Sequence, residues 1–326
     1  MYIVSNELLA QKLAYSTVLG AIVNNLKFDN KETLQKYILT YILASDVIVA
    51  QMPKPESRTL LEFVKEHGKK LIIETDDLVH KLHDGFDKDK IKHFEDSWQD
   101  KKKLWSLADG FICSTAELCR QYSQLFGKPA WLFKNYIDFD DMRWDVPKIK
   151  HDKIVIGWMG GNSHEKDLRI IEPVIDEILD NYNVQFQFVT YCPDWLKKKP
   201  VRYIPTSGSM DSYTPMICQF DIGIIPLEDN EFNRSKSDLK YLEYSRLKVP
   251  TIASKGSVYN AIVNNVNGLV VRNKTTDWTE AIVKLIQDKT LRDSLANNAY
   301  NYVKSERTIA GNAYRYVEIG RKINDL

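Results

Sequence analysis

The feature that most restricts how this chain can fold is the alternation, repeated along its length, of short apolar runs with longer stretches of helical spacing. Runs too short for a helix and rich in Ile, Val and Phe read as strands buried on both faces. A helix between successive runs is the crossover that parallel strands need. In the first half, Asp46–Gln51 (DVIVAQ), Lys70–Glu74 (KLIIE), Gly110–Ser114 (GFICS) and Ala130–Phe133 are such strands, with helical spacing over 54–68 and 87–108. Residues 140–152 mix charge with Pro147 and lack an apolar period, which predicts a linker. The pattern then restarts with Lys153–Met159 (KIVIGWM), Gln185–Tyr191 (QFQFVTY), Asp221–Pro226 (DIGIIP) and Thr251–Ser254 (TIAS), and helices fit at 165–181, 235–247, 277–287 and 290–304. At 326 residues the chain exceeds what one core usually serves. The expected fold is therefore α/β, with two Rossmann-like doubly wound parallel-sheet domains facing a cleft, where such folds bind ligands. The predicted division is an N-terminal domain over 1–147, a C-terminal domain over 148–305 and a terminal helix over 306–326 packing back on the first domain.

Bulk properties exclude several function classes. With 45 basic and 44 acidic side chains the formal charge is +1, without the basic surplus of a dedicated nucleic-acid binder. The cysteines, Cys113, Cys119, Cys192 and Cys218, contain no CxxC pair. Neither a metal cluster nor a disulfide framework is expected of them, and reduced thiols suit a cytoplasmic protein. The opening MYIVSNELLAQK lacks a basic start followed by an apolar run, and no stretch approaches about 18 uninterrupted apolar residues. Neither a signal peptide nor a membrane span is expected. Phe94, Trp98 and Trp105 interleave with Lys88, Lys90, Lys92 and Lys101 to Lys103, a pattern compatible with peripheral contact at an inner membrane face or with nucleic acid. Glu95, Asp96 and Asp100 dilute it, and a solvated amphipathic helix is the plainer reading.

Two stretches of the second half suit an anionic ligand. In GWMGGNSHEKDL, Gly157 to Leu168, a strand runs into Gly160 and Gly161 and then opens a helix. Such a turn lets the backbone approach a phosphate, and the helix N-terminus favours the anion. Lys166 can add a positive charge or be a solvated surface lysine. The second stretch is NRSKSDLKYLEYSRLKVPTIAS, Asn233 to Ser254. Ser235 with Asp238 three residues on predicts a capping box, and Val249-Pro250 an end to the helix. Lys236, Lys240 and Glu243 then share one helix face, with Leu239 and Leu242 toward the sheet. Two lysines at a helix N-terminus can cradle a diphosphate, and a glutamate one turn deeper can accept from both hydroxyls of a ribose. The competing reading is an exposed face whose lysine–glutamate pair contributes about 0.2–0.5 kcal/mol.

The run FDIGIIPLEDNEFNRSKSDLKYLEYSRLKVPTIAS resembles the donor-site signature of the glycosyl transferases group 1 family, which is of the GT-B type and retaining. Glu243 matches the family's second glutamate, which binds the donor ribose. Asn267-Gly268-Leu269-Val270 matches its NGLLV turn, and the loop at Gly160 and Gly161, with Lys166, matches its first donor loop. Ser235 stands where the family's first glutamate is usual, and Trp158 where an arginine follows the loop glycine. The resemblance implies a retaining, metal-independent glycosyltransferase. Its donor substrate is a nucleotide diphosphate sugar, with no further cofactor. The acceptor, a glycan, a lipid-linked group or a protein, is not specified. The alternatives are a catalytically silent GT-B subunit, which the two departures suggest, a glycosyltransferase acting on modified DNA, and a non-sugar Rossmann enzyme such as a dehydrogenase, disfavoured because no GxGxxG follows a strand.

On the acceptor side, KLIIE brings Glu74, Asp76 and Asp77 to the C-terminal end of its strand. Clustered carboxylates suit a hard cation, but the resemblance places IIETDDL beside the transferred sugar, where Asp76 or Asp77 orients the acceptor hydroxyl or braces an oxocarbenium-like ring. A capping role for Asp77 is the structural alternative. His80 and His83 read as a surface pair. FICSTAELCRQYSQLFGKPAWLFKNYID resembles the family's link into the donor domain, with Ser114 and Thr115 at a strand end.

Overall fold

The computed structural model describes residues 2–5, 38–81, 88–256 and 258–325. His83 lies outside them, and so do the side chains of Lys88, Lys90 and Phe94. The chain divides into two compact units: residues 1–134 with 235–237 and 313–326, and residues 135–234 with 238–312.

In the first unit the strands are β1 (Tyr2–Ser5), β2 (Val47–Gln51), β3 (Lys70–Thr75), β4 (Gly110–Cys113) and β5 (Ala130–Leu132), paired in parallel in that order. The helices α1 (Arg58–Glu66), α2 (Lys88–Trp105) and α3 (Ala116–Phe126) fall between them. Thr115 caps α3 by accepting from the Leu118 N–H, and Gly127 closes it in the left-handed conformation. Trp105 of α2 is fully buried, donates to the Pro53 carbonyl and packs beside Trp98, Phe111 and Tyr122. These aromatics serve the core of the first unit, which removes Trp105 from any surface patch. Ile319 and Ile323 join Val47, Val49, Ile72 and Ile112 in a cluster on the sheet.

The second unit holds β6 (Ile154–Met159), α4 (Glu165–Arg169), α5 (Glu172–Asn181), β7 (Val184–Val189), α6 (Asp194–Lys197), β8 (Arg202–Ile204), α7 (Met210–Ile217), β9 (Ile222–Ile225), α8 (Glu231–Arg234), α9 (Leu239–Arg246), β10 (Thr251–Ser254), β11 (Leu269–Val271), α10 (Thr275–Gln287) and α11 (Lys289–Glu306). The terminal helix α12 spans Ile309–Asn324, and residues 313–326 fold with the first unit. The six-stranded sheet runs β11-β10-β9-β6-β7-β8, all parallel, so its winding reverses between β6 and β9. That reversal opens a crevice at the strand C-termini, where doubly wound sheets bind ligands.

Two glycines let neighbours close on this sheet. A Cβ on Gly157 would lie 2.1 Å from the Phe220 ring, and one on Gly223 2.5 Å from the Tyr244 ring. Tyr244, on α9, reaches across Gly223 and accepts from the Met159 N–H at 3.0 Å, pinning α9 against β6. The stretch read as a linker is docked: Trp144 is buried in the second core, Lys148 donates to the Phe220 carbonyl at 2.7 Å and the Ile149 N–H to the Gln219 side chain at 2.9 Å. Its missing apolar period reflects anchoring by single residues instead of a regular face.

Candidate donor and acceptor sites

The loop after β6 is a 3-10 turn over Asn162–His164 leading into α4. Gly160 is buried because the Trp158 ring and the Lys240 stem occupy the space of its missing Cβ, at 2.6 and 3.3 Å. Gly161 is exposed, and a Cβ there would meet nothing. Lys166 is half-buried in α4. Trp158 is fully buried; His164 meets it edge-on at 5.9 Å and Lys240 lies 5.8 Å from the ring centre.

The capping-box reading of the second stretch needs correction. The helix begins at Leu239 with Asp238 at its cap position and no side-chain cap bond. Asp238 instead takes both Arg307 amines, at 2.7 and 2.8 Å. Ser235 is buried ahead of the helix, and Ser235–Ser237 fold with the first unit, where Thr115 donates to the Ser235 carbonyl at 3.1 Å. Lys236 therefore does not share a helix face with Lys240 and Glu243; its positive charge acts on Asp76. Leu239 is exposed, and Tyr241, Leu242, Tyr244 and Ser245 face inward.

Glu243 is only 5% exposed, which excludes the surface-pair reading. Tyr213 of α7 donates to its Oε1 at 2.8 Å. Burial pushes its carboxyl up to about 7, against the opposing pull of the Tyr213 hydroxyl and the Lys240 charge. Lys240 donates to His164 Nε2 at 2.8 Å, and His164 Nδ1 donates to Asp167 at 2.7 Å. Asp167 also accepts from the Glu228 N–H and the Asn233 amide, both at 2.8 Å, tying the loop after β9 to α4. Next to this knot lies a shallow concavity lined by Glu228, Asn233, Arg234, Ser254, Lys255 and Tyr259 among others. Asn233 is buried there with its Oδ1 accepting from no described group. Asn267 and Gly268 serve the fold: Asn267 accepts from the Val263 N–H and donates to the Ala261 carbonyl.

In the first unit, Glu74 ends β3 with the Tyr316 hydroxyl 3.4 Å away, and its carboxyl is raised to about 7 by burial and then by Asp76. Asp76 and Asp77 follow as exposed residues. The Asp76 carboxyl is raised by desolvation and then by Asp77, while Lys236 opposes the shift. The turn is held through the Asp77 carbonyl, which accepts from Tyr122 at 2.8 Å and Thr75 at 3.0 Å. Its backbone does the structural work and its carboxylate is presented to solvent. His80 is half-buried between Trp98 and Tyr122, each 5.6 Å away, so it belongs to the aromatic cluster. Among the described residues no group of three or more His, Cys, Asp or Glu is placed to hold a metal ion, and the described cysteines carry no disulfide.

The sequence reading missed His164, Asp167, Tyr213 and Asn233. The first two carried a signal, a histidine and an aspartate three apart at a helix start, so that both lie on one face. Tyr213 gave none, because its partner Glu243 is 30 residues away, and nothing near Asn233 marks its bond to Asp167, 66 residues away.

Residues 153–288 match the profile of the family described as Glycosyl transferases group 1. The match covers 136 of the 326 residues, less than half of the chain. Solved structures with the same architecture extend the likeness beyond the matched segment. S. aureus TarM superposes with a TM-score of 0.60 at 16% identity, over 91% of this chain and 59% of TarM. Sucrose-phosphate synthase from Thermosynechococcus elongatus gives 0.61 at 12%, over 92% of this chain and 82% of that one. HepE of Anabaena, solved in complex with UDP, gives 0.62 at 13%, over 90% and 82%. The paired parallel-sheet units are those of the GT-B fold. No curated protein matches the chain in sequence.

Proposed function

We propose that the protein is a retaining, metal-independent glycosyltransferase that takes its sugar from a nucleotide diphosphate sugar. The observation that carries this is the family match over 153–288, inside which Gly160, Gly161, Lys240 and Glu243 come together at the switch point between β6 and β9. In this reading the diphosphate lies against the exposed backbone at Gly161, with Lys240 and Lys166 as its positive charges. Glu243, ionised, accepts from the ribose hydroxyls. Asp76 or Asp77 orients the acceptor hydroxyl or braces the cationic sugar, and Lys236 beside them supplies charge. Ser235 contributes through its place in the buried turn before α9. The acceptor attacks from the face the diphosphate leaves, and its proton passes to the departing phosphate oxygen.

Incubation with UDP-, GDP- and dTDP-sugars tests the activity. Slow hydrolysis of one donor is expected, with release of the nucleoside diphosphate, retention of the anomeric configuration, and suppression by Lys240→Ala. A folded protein that binds and cleaves none of these donors would be a silent subunit.

A further inference from the structure

The loops at the switch point contain a chain of three side chains running from the protein interior to the proposed phosphate site. Asp167 is 2% exposed and receives three donors, from His164, the Glu228 backbone and Asn233. So saturated, it is a carboxylate, and His164 Nδ1 carries the proton between them. The opposite nitrogen, Nε2, faces Lys240 Nζ at 2.8 Å. An ammonium only donates, so Nε2 accepts and the ring is uncharged. The tautomer is thus set by the carboxylate behind it.

This order of groups has a consequence for charge. A carboxylate in contact with Lys240 would fix the lysine but cancel much of its field. An uncharged ring fixes it without adding a second negative charge to that of Glu243, on whose carboxyl the Lys240 charge acts. The stem is confined as well, between the Trp158 ring and the position a Cβ would take on Gly160. We infer that His164 is a positioning residue for Lys240, and Asp167 for His164. Together they aim an ammonium across the Gly160–Gly161 turn toward the diphosphate of a nucleotide. This inference rests on the donor-site reading above, and extends it to residues that touch no phosphate in that reading.

Two substitutions separate the contacts of the histidine. His164→Asn keeps a donor near Nδ1 for Asp167 and loses the reach to Lys240, whereas His164→Gln places an amide near Nε2 and keeps that reach. Calorimetric titration of UDP, with GDP and dTDP alongside and uridine as the phosphate-free control, is run on wild type, both variants, Lys240→Ala and the His164→Asn/Lys240→Ala double variant. His164→Asn is expected to weaken the nucleoside diphosphate about tenfold, the loss of one charge-assisted interaction, and to leave uridine unchanged. His164→Gln should recover most of that, and the double variant should bind no more weakly than Lys240→Ala alone. Additive losses, an equal loss of uridine binding, or no difference between Asn and Gln would overturn the relay while leaving the donor site intact. If Lys240→Ala binds as wild type does, or no nucleotide binds, the donor-site reading itself fails and the relay with it.

Discussion

If Glu243 holds the donor ribose as proposed, folding and binding make opposite demands on it. Its carboxyl is buried and titrates near 7, against an ordinary value of 4.5. Between those values the folded chain keeps a proton that the unfolded chain has released, so stability falls as pH rises through that window and levels off above it. The full effect is of order 3 kcal/mol. Glu243→Gln should therefore be more stable than wild type at pH 8 and nearly equal to it at pH 5, as read by urea denaturation. The same change should weaken nucleotide-sugar binding, because an amide offers the ribose one acceptor instead of a carboxylate. In wild type, donor affinity should rise from pH 6 to pH 8, and Glu243→Gln should flatten that rise. A variant that gains neither stability nor pH independence would show that the carboxyl is not held protonated by burial. At the other proposed site, Asp76→Asn or Asp77→Asn should lower kcat by much more than it raises the donor KM. Unchanged kcat in both folded variants would leave these carboxylates without a part in the reaction.

At the scale of elements, the alternation of strands and helices was legible because buried parallel strands are written as contiguous apolar runs. The strands at 47–51, 70–75, 110–113, 154–159 and 251–254 all fall on such runs. The start of α9 was not legible. Ser235 and Asp238 have the spacing of a capping box, but Asp238 is claimed by Arg307, a partner 69 residues away, and tertiary pairing overrides the local motif. Likewise β8, three residues long and partly exposed, has no apolar run to announce it. Within the site, Gly160 and Gly161 look alike in sequence and differ in what surrounds them. Gly161→Ala meets no atom, so stability should stay within about 0.5 kcal/mol while UDP affinity falls, if a phosphate packs on that backbone. Gly223→Ala drives a methyl into Tyr244 and levers α9 from the sheet, at a cost of about 1–3 kcal/mol, with loss of UDP binding as well. Equal behaviour of the two variants in thermal melts and UDP titrations would mean that α9 is not positioned by its fit over Gly223.

For the molecule as a whole, the two units carry different chemistry. The carboxylates Glu74, Asp76 and Asp77 fall in the first unit with Lys236, whereas Lys166, Lys240 and the Gly160–Gly161 turn fall in the second. A metal-dependent transferase needs carboxylates beside the diphosphate, commonly as a D-x-D loop, so that one cation bridges protein and phosphate. The loop after β6 carries no D-x-D; the loop after β9 holds Glu228 and Asp229, of which Asp229 pairs with Arg234, and the buried Asp167 of α4 is committed to His164, Asn233 and the Glu228 backbone. Lysines at the loop and helix N-terminus can neutralise the leaving diphosphate in place of a cation. Glycosyl transfer, or donor hydrolysis where the acceptor is lacking, should therefore run at the same rate in excess EDTA as with added Mn²⁺ or Mg²⁺. The decisive comparison is the initial rate before chelation, after chelation, and after each metal is returned. A loss of more than about tenfold that either metal restores would make a cation part of the transition-state charge balance. Asp76 and Asp77 would then be its first candidate ligands, and their Asn variants should abolish the metal response along with the rate.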